Sequence, residues 1–220
     1  MTAAGTVLVV DDHELFSTSL VYLLGARGIG AQRCSSTDPD LVLAEAGGHE
    51  PGVVLLDLDL GNGPDGVEID GCELVPPLRT DGWSVLVLTG SVDRTRIATA
   101  VALGAVGWVS KTASFPTLVQ RAVDVLEGRS VMESNEHADL LALYREYHAA
   151  QQVARTKLDR LSAREREVLR LLADGQQAAA IASHFVTSLS TVRAQIRSIL
   201  SKLEVTSQLA AVALTHRFPG

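Results

Sequence analysis

Three short runs, Val7–Val10, Val53–Leu56 and Val85–Leu88, are built from Val and Leu alone, with no polar residue inside them. An uninterrupted apolar run suits a strand covered on both faces, whereas a strand wet on one face alternates polar with apolar. Covering both faces of a sheet takes helices, and the segments between the runs have helical spacing. They lie at about 13–27, 37–47, 71–80, 93–103 and 115–128, with shorter strands expected near Ile29–Cys34 and Val106–Val109. Strands and helices alternating in this way predict an α/β, (βα)5 doubly wound domain over residues 1–130.

Beyond it the pattern changes. Residues 133–160 contain neither Gly nor Pro and predict one long helix, giving a helical linker over 131–160. Its apolar positions, Leu140, Tyr144, Tyr147, Ala154, Leu158 and Leu161, approximate a 4-3 repeat interrupted by Gln151. Such a helix either lies on its own domain or pairs with a second copy in a dimer. Residues 161–220 read as a small all-α domain of short helices. The first opens on the capping box Ser162-x-x-Glu165 and ends at Gly175. Ala178–His184 follows, then a tight break at 185–188, a helix with buried stripe Val192, Ile196, Ile199 and Leu203, and a last helix over about 207–216.

Charge divides along the same lines. The net charge of −7 conceals a balance of −9 over residues 1–130, −1 over 131–160 and +3 over 161–220. An acidic block repels polyanions unless it binds cations, while the basic block can contact them. Hydrophobic residues make up 46% and charged residues 20%, which excludes wholesale disorder. The apolar charge-free stretch Ile97–Ser110 is too short to span a bilayer, and no basic residue precedes the first apolar run. A cytoplasmic protein without membrane or secretory segment is therefore expected. Two cysteines, Cys34 and Cys72, lack metal spacing and fit buried thiols.

Ligands of open parallel sheets bind beyond the carboxyl ends of the strands, so the residues that end each run are informative. Asp11 and Asp12 follow the first run, Asp57 the second and Thr89 the third; Lys111 stands two residues past Val109. Adjacent strands would bring three carboxylates, a hydroxyl and an ammonium to one edge. Clustered carboxylates call for a cation, and Mg²⁺ suits a small oxygen-rich site. A metal, a Lys and a hydroxyl neutralise a transferred phosphoryl group, which a carboxylate could accept as an acyl phosphate. Each residue alone is equally consistent with a strand end or helix cap; together they point to phosphoryl chemistry.

These positions, with the phrases Val9-Val10-Asp11-Asp12-His13 and Gly107-Trp108-Val109-Ser110-Lys111, resemble the receiver domain of two-component response regulators over about residues 5–128. The resemblance implies that Asp57 is the phosphoacceptor. It implies that Asp12 and Asp57, with Asp11 through water and the backbone carbonyl of Asp59, hold Mg²⁺. Thr89 and Lys111 would bind the phosphoryl oxygens, and Trp108 stands where the family has a smaller switch aromatic. The stretch Leu60–Gly71 is longer than the family's and lacks its Met-Pro pair, placing an acidic, Gly-rich insert beside the site.

That insert imitates other motifs. Gly61-x-Gly63-x-x-Gly66 has the letters of a dinucleotide fingerprint, but Pro64 interrupts it and the flanking acids would repel a pyrophosphate. Asp57, Asp59, Asp65 and Glu68 fall on calcium-loop positions, with Asn62 where the obligatory Gly belongs. Asp57-x-Asp59, Thr89 and Lys111 also resemble haloacid-dehalogenase-type phosphatases, with Asp57 as nucleophile and Asp59 as general acid. Those enzymes place further acids after the Lys; here Thr112-Ala113-Ser114-Phe115 follows.

In the basic block, Arg193 and Arg197 share one helix face opposite the buried stripe, and no acid occurs from Leu189 to Leu203. A short helix, a tight break and a cationic helix place a recognition helix in a major groove. The string Leu161-Ser162-x-Arg164-Glu165-Arg166-Glu167-Val168-Leu169, with Ile181-Ala182, Ser188, Thr191-Val192-Arg193 and Lys202-Leu203, resembles the LuxR-type helix-turn-helix over about 158–218. By that resemblance Arg193, Ala194 and Arg197 reach base edges, and Ser188, Thr191 and Lys202 meet phosphates. The usual Lys-Glu pair before Ile-Ala is Ala179-Ala180 here, which should flatten the salt dependence of binding.

Both resemblances together are those of the NarL/FixJ class of response regulators. They imply a DNA-binding transcriptional regulator rather than an enzyme. A sensor histidine kinase would phosphorylate Asp57 with Mg²⁺, and a homodimer would read a pseudo-palindromic operator in double-stranded DNA. The alternative keeps DNA binding with a receiver that works without phosphorylation.

Overall fold

The computed structural model describes residues 5–63, 66–90 and 93–217. The insert's Pro64 and Asp65 lie outside the described residues. By their contacts the residues form two units, Met1–Tyr144 and Arg145–Gly220.

The first unit is a parallel sheet with helices on both faces. Strands β1 (Val7–Val10), β2 (Ala31–Arg33) and β3 (Val53–Asp57) precede a short hairpin of β4 (Asp59–Asn62) and β5 (Glu68–Asp70); β6 (Ser84–Thr89) and β7 (Gly107–Ser110) follow. The main sheet runs β2-β1-β3-β6-β7, with every pairing parallel. The helices are α1 (Glu14–Gly25), α2 (Pro39–Ala46), α3 (Val75–Thr80), α4 (Arg94–Ala102) and α5 (Phe115–Leu126). Successive strand residues point to opposite faces, which is why wholly apolar runs are needed. Val7, Val9, Val53, Leu55, Leu86 and Leu88 pack with α1 and α5. Leu8, Val10, Val54, Leu56, Val85 and Val87 pack with α2, α3 and Ala100 of α4.

The doubly wound (βα)5 architecture is therefore the expected one, and the insert adds to it. Leu60–Gly71 becomes the antiparallel β4–β5 hairpin followed by a 3-10 turn over Gly71–Leu74. Gly61 at φ 77° and Gly66 at φ 79° supply left-handed backbone that other residues disfavour. Gly71 closes the insert against the end of β3. Its N–H donates to the Leu58 carbonyl at 2.9 Å, and a Cβ there would meet the Asp57 carbonyl oxygen at 2.1 Å.

Helix α6 (Ser134–Asp159) is a single helix, and the division into units falls within it, between Tyr144 and Arg145. The stretch 131–160, expected as a linker of its own, is thus shared between the two units. Val131 packs into the core beside β7, where a Cβ on Gly107 would meet its Cγ2 at 2.6 Å. Leu140, with Leu141, Leu143 and Tyr144, packs on Ile97, Ala98 and Val101 of α4.

The second unit contains α7 (Ala163–Ala173), α8 (Ala178–His184), α9 (Leu189–Leu203) and α10 (Gln208–Arg217). Its core joins Leu161, Val168, Leu169, Ile181, Val192, Ile196, Ile199, Leu203 and Ala211, with Leu158 at its edge. The expected capping box is formed: the Glu165 N–H donates to Ser162 Oγ at 3.3 Å, and the Ser162 N–H to Glu165 Oε2 at 2.7 Å.

Candidate functional site

The strand order reverses between β1 and β3, and the carboxyl ends of these strands converge there. Asp11 and Asp57 are buried at those ends and Thr89 at the end of β6, while Asp12 faces solvent. Lys111, just past β7, pairs with Asp57 Oδ2 and lies 2.7 Å from Asp11 Oδ2. The Lys111 N–H donates to the Thr89 carbonyl at 2.9 Å, which fixes the Lys by its backbone as well. The rings of Phe16 and Phe115 meet at a 32° tilt with centroids 5.6 Å apart, and the Lys111 ammonium lies 5.3 Å over Phe16. The five expected groups, three carboxylates, a hydroxyl and an ammonium, thus lie at one edge of the sheet.

Burial pushes the Asp57 carboxyl above its ordinary range, although Lys111 opposes that shift. Burial by itself would lower Lys111, but its bonds to Asp11 and Asp57 hold it above its ordinary value. One ammonium facing two buried carboxylates and an exposed third leaves an excess of negative charge. One ligand atom each from Asp11, Asp12, His13 and Asp57 lie within 4.8 Å of one another. Asp11 Oδ2 is buried with the Lys111 ammonium as its partner at 2.7 Å. Hard oxygen donors and surplus negative charge fit a small divalent cation. His13 was not expected in this group. Its backbone N–H donates to Asp11 Oδ1 at 2.8 Å, and its ring Nδ1 lies 2.7 Å from Asp12 Oδ1.

The Asp59 side chain does not join that cluster. It pairs with Arg96 of α4, which also donates to the Leu58 carbonyl at 2.6 Å and to Asp70 Oδ1 at 3.0 Å. Its backbone N–H donates to Asp57 Oδ1 at 3.1 Å. The sequence carried no signal for Arg96 beyond the acidic insert, which needed a cation from some distant element.

Trp108 is half-buried beside α4, and its indole N–H donates to Glu136 of α6 at 2.9 Å. Glu136 was likewise not foreseen, because the bond joins residues that only the tertiary fold brings together.

In the second unit, α9 buries Val192, Ile196, Ile199 and Leu203 and exposes Thr191, Arg193, Ala194 and Arg197. Ser188 caps the helix, accepting from the Thr191 N–H at 3.1 Å, and its hydroxyl lies 2.8 Å from that of Thr191. Lys202 differs from the expected phosphate partner. Its ammonium donates to Glu165 Oε2 at 2.7 Å, and Ser198 donates to Glu165 Oε1 at 2.7 Å. A carboxylate buried by the capping box needs that cation, so Lys202 is tied into the fold of the unit.

Residues 7–123 match the family of response regulator receiver domains, and residues 159–215 match the bacterial regulatory proteins of the luxR family. The chain is 31% identical over 211 residues to the probable transcriptional regulatory protein NarL of Mycobacterium tuberculosis, covering 96% of this chain and 93% of that one. It is 28% identical over 214 residues to the transcriptional regulatory protein LiaR of Bacillus subtilis, covering 96% of each. Among solved structures, a complex of the response regulator RcsB with DNA shares the fold at a TM-score of 0.51 and 21% identity, over 97% of this chain and 98% of that one. Among the described residues no helix is long and apolar enough to cross a membrane. With a receiver sheet ending in its acidic pocket and a LuxR-type helical unit beyond, the chain belongs to the two-component response regulators of the NarL/FixJ class.

Proposed function

We propose that the protein is a phosphorylation-switched transcription regulator that binds operator DNA as a homodimer. The observation that supports this reading best is Asp57, buried beside Lys111 and among Asp11, Asp12 and Thr89 at the sheet's switch point. A sensor histidine kinase supplies the phosphoryl group. Asp12 and Asp57, with Asp11 and the Asp59 carbonyl, would hold Mg²⁺, which would supply charge neutralisation there. The Asp57 carboxylate attacks phosphorus as the P–N bond of the kinase's phosphohistidine breaks and the imidazole leaves, while Thr89 and Lys111 bind the phosphoryl oxygens.

Thr89 and Trp108 relay the change, and the Trp108–Glu136 bond favours the route into α6. In the homodimer two α9 helices enter successive major grooves of a pseudo-palindromic operator. Arg193, Ala194 and Arg197 read bases, and Ser188 and Thr191 meet phosphates. Lys202 serves phosphate only in so far as Glu165 releases it.

Intact mass of the full chain, after incubation with Mg²⁺ and a small acyl-phosphate donor, tests the reading against Asp57→Asn. A gain of one phosphoryl group in the wild type and none in the variant is expected. A gain in neither points to a receiver that works without phosphorylation, and a gain in both removes Asp57 from the role. The phosphatase reading predicts turnover of small phosphate esters, which this mechanism does not.

A further inference from the structure

The insert encloses a groove of about 450 Å³ together with the start of α2. Its floor is apolar, lined by Pro39 of α2, by Val67 just before β5 and by Ile69 within it. Ile69 rests on the core beneath, whereas Val67 is 62% exposed. The rim is acidic. Two of its carboxylates are engaged within the fold: Asp38 Oδ1 accepts from the Asp40 and Leu41 N–H groups, and Asp70 Oδ1 accepts from Arg96 and the Cys72 N–H. The other two, Glu68 and Glu73, are exposed, and among the described residues no cation pairs with either. The groove is shaped in advance, because Arg96 fastens Asp59 and Asp70, one on each strand of the insert, to α4.

A cavity of this size takes a few side chains of a peptide, not a folded face. The lining selects their chemistry. A polyanion is repelled by the rim, and a wholly apolar segment would desolvate Glu68 and Glu73 without pairing them. A bare polycation would leave Val67 in water. An apolar residue flanked by cations satisfies both, since Lys and Arg stems lie along apolar surface while their charges reach its edge.

We propose that the groove between the insert and α2 docks a short basic segment of a partner protein, an apolar residue with Lys or Arg on either side. The apolar residue covers Val67, Pro39 and Ile69, and the cations pair with Glu68 and Glu73. The groove shares no residue with the pocket of Asp11, Asp12 and Asp57, so docking requires no phosphoryl group on Asp57.

The test titrates the full chain against a fluorescent, end-capped Lys-Val-Lys-Val-Lys peptide and follows anisotropy at physiological salt. Saturable binding is expected, weakened about fivefold in the Glu68→Gln/Glu73→Gln double, as two exposed ion pairs allow, and further by added salt. Val67→Ser is expected to weaken it about fourfold through the lost apolar contact. The Glu50→Gln/Glu133→Gln double removes the same charge from exposed positions elsewhere and should bind as the wild type does. Amide exchange in the wild type should slow over 66–70 when the peptide is bound, which locates it without any variant. Absence of saturable binding overturns the proposal, and so does equal loss in the two charge doubles, since the attraction then belongs to the whole acidic surface. A Ser-Val-Ser-Val-Ser peptide that binds as tightly removes the cations from the argument, and spermine that competes as well as the Lys peptide removes the apolar floor. Either result overturns it.

Discussion

At the scale of single residues, Glu165 shows how a surface charge pattern conceals a structural one. Burial disfavours its anion, but the Lys202 ammonium, the Ser162 N–H and the Ser198 hydroxyl outweigh that cost and lower the carboxyl to about 2. A folded value below the unfolded one stabilises the unit fully above about 4.5 and less as pH falls toward about 2. Amide exchange of α9 in the full chain should therefore accelerate over that acid range, and should do so less in Glu165→Gln. Lys202→Met should cost about 2 kcal/mol by leaving the buried carboxylate unpaired. If Lys202→Met instead weakens DNA binding with no loss of stability, the Lys is a phosphate contact after all. Val186 is a second case: β-branched, 94% exposed, at φ 50° in the turn between α8 and α9. Asn tolerates that left-handed backbone, so Val186→Asn should raise stability by about 0.5–1 kcal/mol in thermal or denaturant unfolding.

At the scale of elements, the segment 128–144 completes the first unit instead of merely leaving it. Arg121 donates to the Val131 carbonyl at 3.2 Å, Val131 fills the space left by Gly107, and Glu136 accepts from Trp108. Gly107→Ala should displace Val131 and destabilise this docking by about 1–3 kcal/mol, as overpacking does. Glu136→Ala should release the start of α6, visible as faster amide exchange over 134–144 with β1, β3 and β6 unaffected. Unchanged exchange there would mean that Leu140 and its apolar neighbours hold the helix without the bond. The 4-3 spacing of α6 was legible in the sequence, and its packing partner was not. Leu140 and Tyr144 read alike whether they meet α4 or a second copy, because an apolar stripe does not specify what covers it.

At the scale of the whole molecule, the acidic and basic blocks divide the work. The −9 balance of residues 1–130 surrounds the acidic pocket of Asp11, Asp12 and Asp57, and the +3 balance of residues 161–220 suits a polyanion. With an operator obtained by in vitro selection, Arg193→Ala should lose about 1–3 kcal/mol there and little on random DNA. Equal loss on both would remove Arg193 from base reading.

The sequence by itself determined the doubly wound sheet, because runs such as Val53–Leu56 are stable only between two helical layers. It determined the pocket too, since the topology sends Asp11, Asp57, Thr89 and Lys111 to the same edge once the strands are in register. It determined the helix that presents Arg193 and Arg197, since the stripe at Val192, Ile196 and Ile199 leaves them no other face. Only the tertiary structure decided that Arg96 clamps the insert, that Glu136 takes the indole proton of Trp108, and that Lys202 neutralises Glu165. Those pairs join residues 37, 28 and 37 positions apart. Local periodicity records which side of an element is apolar. Which charge on one element meets which on another follows from how the elements pack.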